Sequence, residues 1–256
     1  MAYKRGLKLW AVNTDSYYDC AIKLYTEGWF DYIELYMVPN TSDFLSNWKE
    51  LKIPFIIHAP HFAHGFNLAK KEKEESNLEI YKEVKRFADE LNAPFIIFHG
   101  GIDGDIKETA RQLASFKDSR ALIENKPCVA LPNRMGGKFC RGFNPKEISI
   151  VKEIANCGFC FDFGHAICSA NSQNINPYDY CEQFLQFKPD MYHLTDVEDI
   201  TSEFDSHPHL GDGQLDFDKI FSMIADNSYI TFETTKNSKE NLEDFKKDMQ
   251  WLKNSI

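Results

Sequence analysis

Short apolar runs alternate with amphipathic segments along the chain, and this alternation limits the possible folds more than any other feature. Eight runs recur, at residues 7–12, 32–37, 55–58, 95–99, 121–124, 159–162, 191–194 and 229–233. Several are apolar throughout rather than at every second position, which is typical of parallel strands buried on both faces. Eight parallel strands can close into a barrel whose interior is filled by side chains.

Helical segments are predicted between the runs. They cover residues 15–27, 42–51, 77–91, 106–116, 145–155, 178–187, 217–225 and 239–252. The alternation predicts an α/β fold, a single (β/α)8 TIM barrel, which typically takes about 250 residues. We expect one domain over residues 1–256. A doubly wound open sheet is the alternative, but no G-x-G-x-x-G follows the first run.

The composition narrows the class of protein. Hydrophobic residues make up 43% of the chain, enough for a sizeable core, and no apolar run is long enough to cross a bilayer. Seven scattered cysteines and the absence of an N-terminal signal pattern predict a cytoplasmic protein with reduced thiols. The net charge of −10 lacks the basic footprint of nucleic-acid binding, although bound metal ions can reverse the charge of a site locally.

The last six runs end in the same kind of residue. In chain order these are His58, His99, Glu124, Asp162, His193 and Glu233. In a parallel barrel all strands end at one face, which is where active sites of this fold lie. Unpaired ionisable groups are costly to bury, so six at one place indicate a function. Imidazole and carboxylate together suit Zn²⁺, Mn²⁺ or Co²⁺.

The histidines strengthen this prediction. There are eight, at positions 58, 61, 64, 99, 165, 193, 207 and 209. Each lies at the end of a predicted strand or in the loop that follows, and none lies in a predicted helix. This segregation indicates one histidine-rich site at the carboxyl end of the barrel.

These motifs resemble the AP endonuclease family 2, or xylose-isomerase-like, barrel superfamily. The resemblance covers about two thirds of the chain, from Phe55 to Glu233. It rests on His58-Ala59-Pro60, Phe98-His99-Gly100-Gly101, Ile123-Glu124-Asn125, Phe161-Asp162-Phe163-Gly164-His165, His193-Leu194-Thr195-Asp196, Asp205-Ser206-His207-Pro208-His209 and Phe232-Glu233-Thr234.

The motifs are compatible with two branches of the superfamily. The endonuclease IV branch implies up to three zinc ions and metal-assisted phosphoester hydrolysis, in which Glu124 orients the attacking hydroxide. By resemblance, one metal is held by His58, His99 and Glu124. Glu124 also bridges to a second, completed by Asp162, His193 and Glu233. The third is held by His165, Asp205 and His207.

The sugar isomerase and epimerase branch implies a single metal, Mn²⁺, Co²⁺ or Mg²⁺. By resemblance, Glu124, Asp162, His193 and Glu233 hold it. Glu124 and Glu233 then act as catalytic acid and base on opposite faces of the substrate carbon. His165 binds a sugar hydroxyl in this alternative. The segment Leu210-Gly211-Asp212-Gly213 fits this branch at least as well as the first.

Several residues are candidates for contact with the substrate. They are His61, Asn125, Arg134, Lys138, Arg141 and His209. The implied substrate is phosphorylated, either abasic-site DNA or a small sugar phosphate, and no membrane partner is expected. The short loop at residues 38–41 has no basic residue to probe a duplex, which departs from the endonuclease pattern. A binding module that retains a metal is a third class, but the intact ligand set argues against it.

Overall fold

The computed structural model describes residues 3–132 and 136–255, and its eight strands close into one parallel barrel in chain order. The strands are β1 (Lys4–Trp10), β2 (Tyr32–Tyr36), β3 (Phe55–His58), β4 (Ile96–His99), β5 (Ala121–Glu124), β6 (Gly158–Asp162), β7 (Met191–Leu194) and β8 (Tyr229–Phe232). β8 pairs with β1, so no strand is left as an open edge. The predicted (β/α)8 barrel is confirmed, and the open doubly wound sheet is excluded.

Helices surround the barrel. They are α1 (Thr14–Thr26), α2 (Leu45–Glu50), α3 (Glu74–Glu90), α4 (Ile106–Phe116), α5 (Pro145–Ala155), α6 (Phe163–Ser172), α7 (Pro177–Leu185), α8 (Phe217–Ser222) and α9 (Glu243–Ser255). Short 3-10 turns occur at Ser42–Phe44, Phe62–His64 and Lys71–Lys73. Within the described ranges, none of the helices is long and apolar enough to cross a membrane.

Helix α6 was not predicted, and it corrects one expectation. His165 lies in its first turn, so the expectation that His165 belongs to a strand end or to the loop after it was wrong. The Asp162 side chain caps this helix by accepting a hydrogen bond from the His165 backbone at 2.7 Å. Most of α6 is buried on every side, which removes the amphipathic pattern that marks a surface helix.

The lower layer of the barrel interior is mostly apolar. We define it as one inward-facing residue from each strand, Gly6, Tyr32, Ile56, Ile97, Leu122, Cys160, Met191 and Thr231. Six of these form a separate buried cluster inside the barrel. Gly6 is required here, because an added Cβ would lie 2.5 Å from the Tyr32 ring. The Tyr32 hydroxyl is satisfied by the Thr231 hydroxyl at 2.9 Å.

The upper layer lies two residues further along the same strands, toward the carboxyl end. Because side chains alternate along a strand, it faces the same interior. Its members are Lys8, Glu34, His58, His99, Glu124, Asp162, His193 and Glu233. Each of β1 to β7, and the residue directly after β8, therefore contributes an ionisable side chain at this level. The interior of the barrel thus changes from apolar to ionisable side chains at the carboxyl ends of the strands, and the candidate site lies there.

Candidate metal and catalytic site

Five residues of the upper layer line the floor of an open cavity of about 690 Å³, namely Lys8, His58, His99, Glu124 and Glu233. Its wall includes Trp10, Tyr36, His61, Lys126, His165, Asp205, His207, Thr235 and Lys236. A cavity of this size suits a small molecule or one extruded group of a larger substrate. Three groups of histidines and carboxylates lie within it or at its floor.

The first group contains His58, His99 and Glu124, at the ends of β3, β4 and β5. The Nε2 atoms of His58 and His99 lie 3.1 and 3.0 Å from the same Glu124 oxygen, Oε2. His58 Nδ1 donates to the Ala59 carbonyl at 2.7 Å, which leaves its Nε2 lone pair for the cavity. The potential ligand atoms of these three residues lie within 4.8 Å of one another. The group is therefore compact enough for one metal ion.

The second group surrounds Nδ1 of His193. This nitrogen lies 3.0 Å from Glu233, 3.7 Å from Glu124 and 3.9 Å from Asp162. The other ring nitrogen, Nε2, lies 2.9 Å from Glu34. His193 Nδ1 is buried and has no hydrogen-bond partner of normal geometry among the described residues. A buried nitrogen of this kind, facing three carboxylates, fits the donor set that binds a divalent metal.

The third group contains His165, Asp205 and His207. His165 Nε2 and His207 Nε2 lie 3.1 and 3.0 Å from the same Asp205 oxygen, Oδ2. Asp205 and His207 come from the long loop after β7, and His165 from α6. The structure therefore brings all nine predicted ligand residues into one region.

The carboxylates of the site are held ionised by their surroundings. Burial opposes the charge of Glu124, but its contact with His99 and the positive charge of Lys126 outweigh burial and hold its pKa well below the usual range. Burial likewise opposes the charge of Glu233, yet His193 and Lys8 hold its pKa well below the usual range. Asp162 differs, because burial raises its pKa. Ionised carboxylates are the form that metal ions bind.

Burial favours the neutral form of both histidines of the first group. Burial, helped by Lys8, lowers the pKa of His58, and burial with Lys126 lowers the pKa of His99 well below the usual range. These rings are therefore neutral, as metal ligands must be.

Three residues of the site, Lys8, Glu34 and Lys126, were not predicted from the strand ends. Lys8 pairs with Glu34 in a short contact and with Glu233 at 2.7 Å. Lys126 Nζ lies 3.3 Å from Glu124 and 3.0 Å from His165 Nε2. Lys8 is the single charged residue of the apolar run at residues 7–12, and Glu34 is that of the run at residues 32–37, and this pattern was the available signal. Lys126 looks like an ordinary loop residue.

The predicted substrate-binding residues do not lie together. His61 lines the cavity, whereas the Asn125 amide bridges β5 and β6 through the Asp162 backbone at 2.8 Å in both directions. Arg141 contacts Glu147 at 3.1 Å, and His209 contacts Asp248 at 3.1 Å. Lys138 is exposed. Arg134 lies outside the described residues. Contact of these side chains with a substrate stays a prediction.

An apolar pocket adjoins the cavity under the loop that follows β5. Phe62, Pro127, Val129, Ala130, Leu131 and Cys140 line it, and Lys126 lies at the junction of the two spaces. Two antiparallel bridges, Val129 with Phe139 and Ile102 with Cys140, hold this loop. The site thus has an ionic compartment and an apolar one.

Comparison with known proteins agrees with this architecture. Residues 21–255 match the model of the family described as xylose isomerase-like TIM barrel. The chain belongs to this family. It is also 27% identical over 209 residues to a protein named probable endonuclease 4 from Aquifex aeolicus (strain VF5), covering 73% of this chain and 71% of that protein.

Solved structures with the same fold come from both branches of the family. A D-tagatose 3-epimerase-like protein superposes with a TM-score of 0.71 at 18% identity, covering 98% of this chain and 96% of its own. Endonuclease IV from Thermus thermophilus superposes with a TM-score of 0.67 at 18% identity, covering 98% of this chain and 100% of its own. At these identities the likeness establishes the fold alone.

Proposed function

We propose that this protein is a divalent-metal-dependent phosphoester hydrolase of the endonuclease IV kind, with zinc as the metal. The observation that carries the proposal is the first group. Two histidines, His58 and His99, face the same Glu124 oxygen at 3.1 and 3.0 Å, beside a second group that is complete without them. An enzyme with one metal has no need of this additional set. Sequence similarity to the Aquifex protein supports the same choice.

In this proposal Glu124 bridges the first and second groups. Its carboxylate lies between His58 and His99 on one side and His193 on the other. Asp162 and Glu233 complete the second group, and His165, Asp205 and His207 offer a third position. Bound zinc would polarise the phosphoryl group and supply an activated water nucleophile.

The remaining residues of the chain keep these ligands in place. Glu34 accepts a hydrogen bond from His193 Nε2, which turns Nδ1 toward the carboxylates. Burial opposes the charge of Glu34, but His193 and Lys8 lower its pKa to about 2. Lys8 also donates to Glu233 and keeps that carboxylate fixed. His61 lines the wall of the cavity, and in this proposal it contacts the bound substrate.

A sugar or sugar-phosphate isomerase or epimerase is the second candidate. One observation favours it, since Glu124 and Glu233 both approach His193 Nδ1, at 3.7 and 3.0 Å. Two carboxylates beside one metal position are what proton transfer on opposite faces of a substrate carbon requires. In this alternative the metal is a single Mn²⁺, Co²⁺ or Mg²⁺.

The test uses zinc-loaded protein and two kinds of substrate. A labelled duplex with one abasic site and a small chromogenic phosphodiester are incubated separately, and strand cleavage or released nitrophenol is measured. We expect hydrolysis of at least one, with none by Glu124→Gln. Turnover of a ketohexose or ketose phosphate, without hydrolysis of either phosphodiester, would establish the second candidate instead.

A further inference from the structure

Lys126 lies at the point where the bridging carboxylate and the third group meet. It is the second residue after Glu124, and its side chain is only 12% exposed. Its ammonium nitrogen lies 3.3 Å from Glu124 Oε1 and 3.0 Å from His165 Nε2. A built-in cation therefore contacts side chains that the family resemblance assigns to two different metal ions.

The ammonium group and a third metal ion need the same atoms. His165 Nε2, which faces Lys126, is also the atom that lies 3.1 Å from Asp205. A ring nitrogen cannot hold a metal and contact an ammonium group at the same time. Two cations at this separation also repel each other strongly in a buried site, where little water screens them. Only one of the two can occupy the position beside His165.

Two features favour the observed position of the Lys126 side chain. Its backbone donates a hydrogen bond to the Gly142 carbonyl at 3.2 Å, and Pro127 follows it. The space on its other side is the apolar pocket lined by Phe62, Val129 and Leu131. An ammonium group placed there would lose its polar partners, which is costly. The ammonium group of Lys126 is therefore more stable beside Glu124 and His165 than in the apolar pocket.

Lys8, the other lysine at the floor of the cavity, has a different environment. It contacts Glu233, but it also pairs with Glu34, a carboxylate outside the nine assigned by resemblance. In contrast, every side-chain hydrogen bond of Lys126 within residues 3–132 and 136–255 ends on Glu124 or His165. Lys126 thus uses the metal ligands themselves as its partners.

We propose that the ammonium group of Lys126 takes the place of the third metal ion, so that the chain binds two divalent ions rather than three. The inference rests on the proposed function, since it assigns the two ions to the first and second groups. The carboxylate of Glu124, which contacts the ammonium group, and that of Asp205, which contacts His165, then supply the negative charge around it. The proposal names Lys126 as the residue that sets the number of metal ions.

The test counts zinc ions per chain. Wild-type protein, Lys126→Met, Lys126→Arg and Lys107→Met are stripped with a chelator, loaded with excess zinc, desalted and measured by inductively coupled plasma mass spectrometry. Lys107 is exposed on α4, so its variant controls for loss of one positive charge. We expect about two zinc ions in the wild type, Lys126→Arg and Lys107→Met, and about three in Lys126→Met.

A second variant keeps the test decisive if Lys126→Met fails to fold by circular dichroism. His207→Ala removes one residue of the third group, and we expect it to keep about two zinc ions. A count of about three in the wild type that falls to two in His207→Ala would overturn the inference, as would a count of two in folded Lys126→Met. Both results leave the proposed hydrolase intact. A wild type that holds no zinc contradicts the proposed function itself.

Discussion

The lower and upper layers of the barrel interior lie two residues apart on the same eight strands, yet they have opposite chemistry. The lower layer places Ile97, Leu122 and Met191 in a buried cluster. The upper layer, on the same strands, has His99, Glu124 and His193. Two residues along each strand therefore separate a packed apolar core from a group of ionisable side chains.

This difference shows how the barrel tolerates so many buried charges. The lower layer excludes water from below and supplies apolar packing, which dominates stability. The upper layer is balanced by opposite charges, such as Lys8 between Glu34 and Glu233. Such pairs contribute little net stability once the cost of desolvation is included. We infer that the upper layer serves function and the lower layer stability.

The largest expected effect comes from Glu124→Gln. The amide keeps the size of the side chain but removes the charge that both the first and the second group share. We expect hydrolysis, or isomerisation in the alternative, to fall by about a thousandfold or more, the scale of losing a main electrostatic contact of the transition state. Far-UV circular dichroism should be unchanged. Full activity in this variant would refute the assignment of the site.

The second prediction compares Ile97→Ala with His99→Ala on the same strand. Ile97 is fully buried in the lower layer, so its truncation should cost about 2–5 kcal/mol in urea unfolding of metal-free protein. His99→Ala should cost clearly less, because the ring nitrogen Nδ1 has no hydrogen-bond partner within the described ranges. Equal losses for the two variants would contradict the division between the layers.

The third prediction concerns Glu34→Gln, within the upper layer. Glu34 fixes the ring of His193, and loss of such an outer partner typically weakens metal binding by about 10- to 100-fold. A competition titration against a chromophoric zinc chelator measures the change. The matched control is Glu83→Gln on α3, outside the cavity, for which we expect no change. Equal zinc affinity in Glu34→Gln and the wild type would show that Glu34 does not support metal binding.

The smallest effect concerns Lys236, in the wall of the cavity. Burial is the main cause that lowers its pKa to about 8, so the folded state disfavours the charged form. The free energy of unfolding should therefore increase as the pH rises from about 8 toward about 10.4, the pKa of a lysine in the unfolded chain. Because the side chain is partly exposed, we expect a gain of only about 1 kcal/mol, absent in Lys236→Met. Parallel pH profiles of the two proteins would contradict this.

Much of the fold followed from the sequence because parallel buried strands leave a strong local signal. All eight strands were located to within a few residues by their apolar runs. Helix α6 was missed because it is buried on most sides and has no polar stripe. Asp162 ends β6 and caps α6 directly, so no loop separates the two elements in the sequence.

The candidate site was predictable only where strands end in ionisable residues. His58, His99, Glu124, Asp162, His193 and Glu233 were found in this way, and the family resemblance added the three residues of the third group. Lys8 and Glu34 were missed because they lie inside β1 and β2, so only closure of the barrel brings them to the other six. Lys126 was missed because its significance depends on distances to Glu124 and His165.

The most direct test of the central claim is anomalous diffraction at the zinc edge from crystals of zinc-loaded protein. The account predicts peaks inside the upper layer, about 2.0–2.2 Å from His58 and His99 Nε2 and from His193 Nδ1. Lys126 should remain beside His165, with no peak between His165 and His207. Absence of any peak among the upper-layer side chains would contradict the claim that this layer is a metal site.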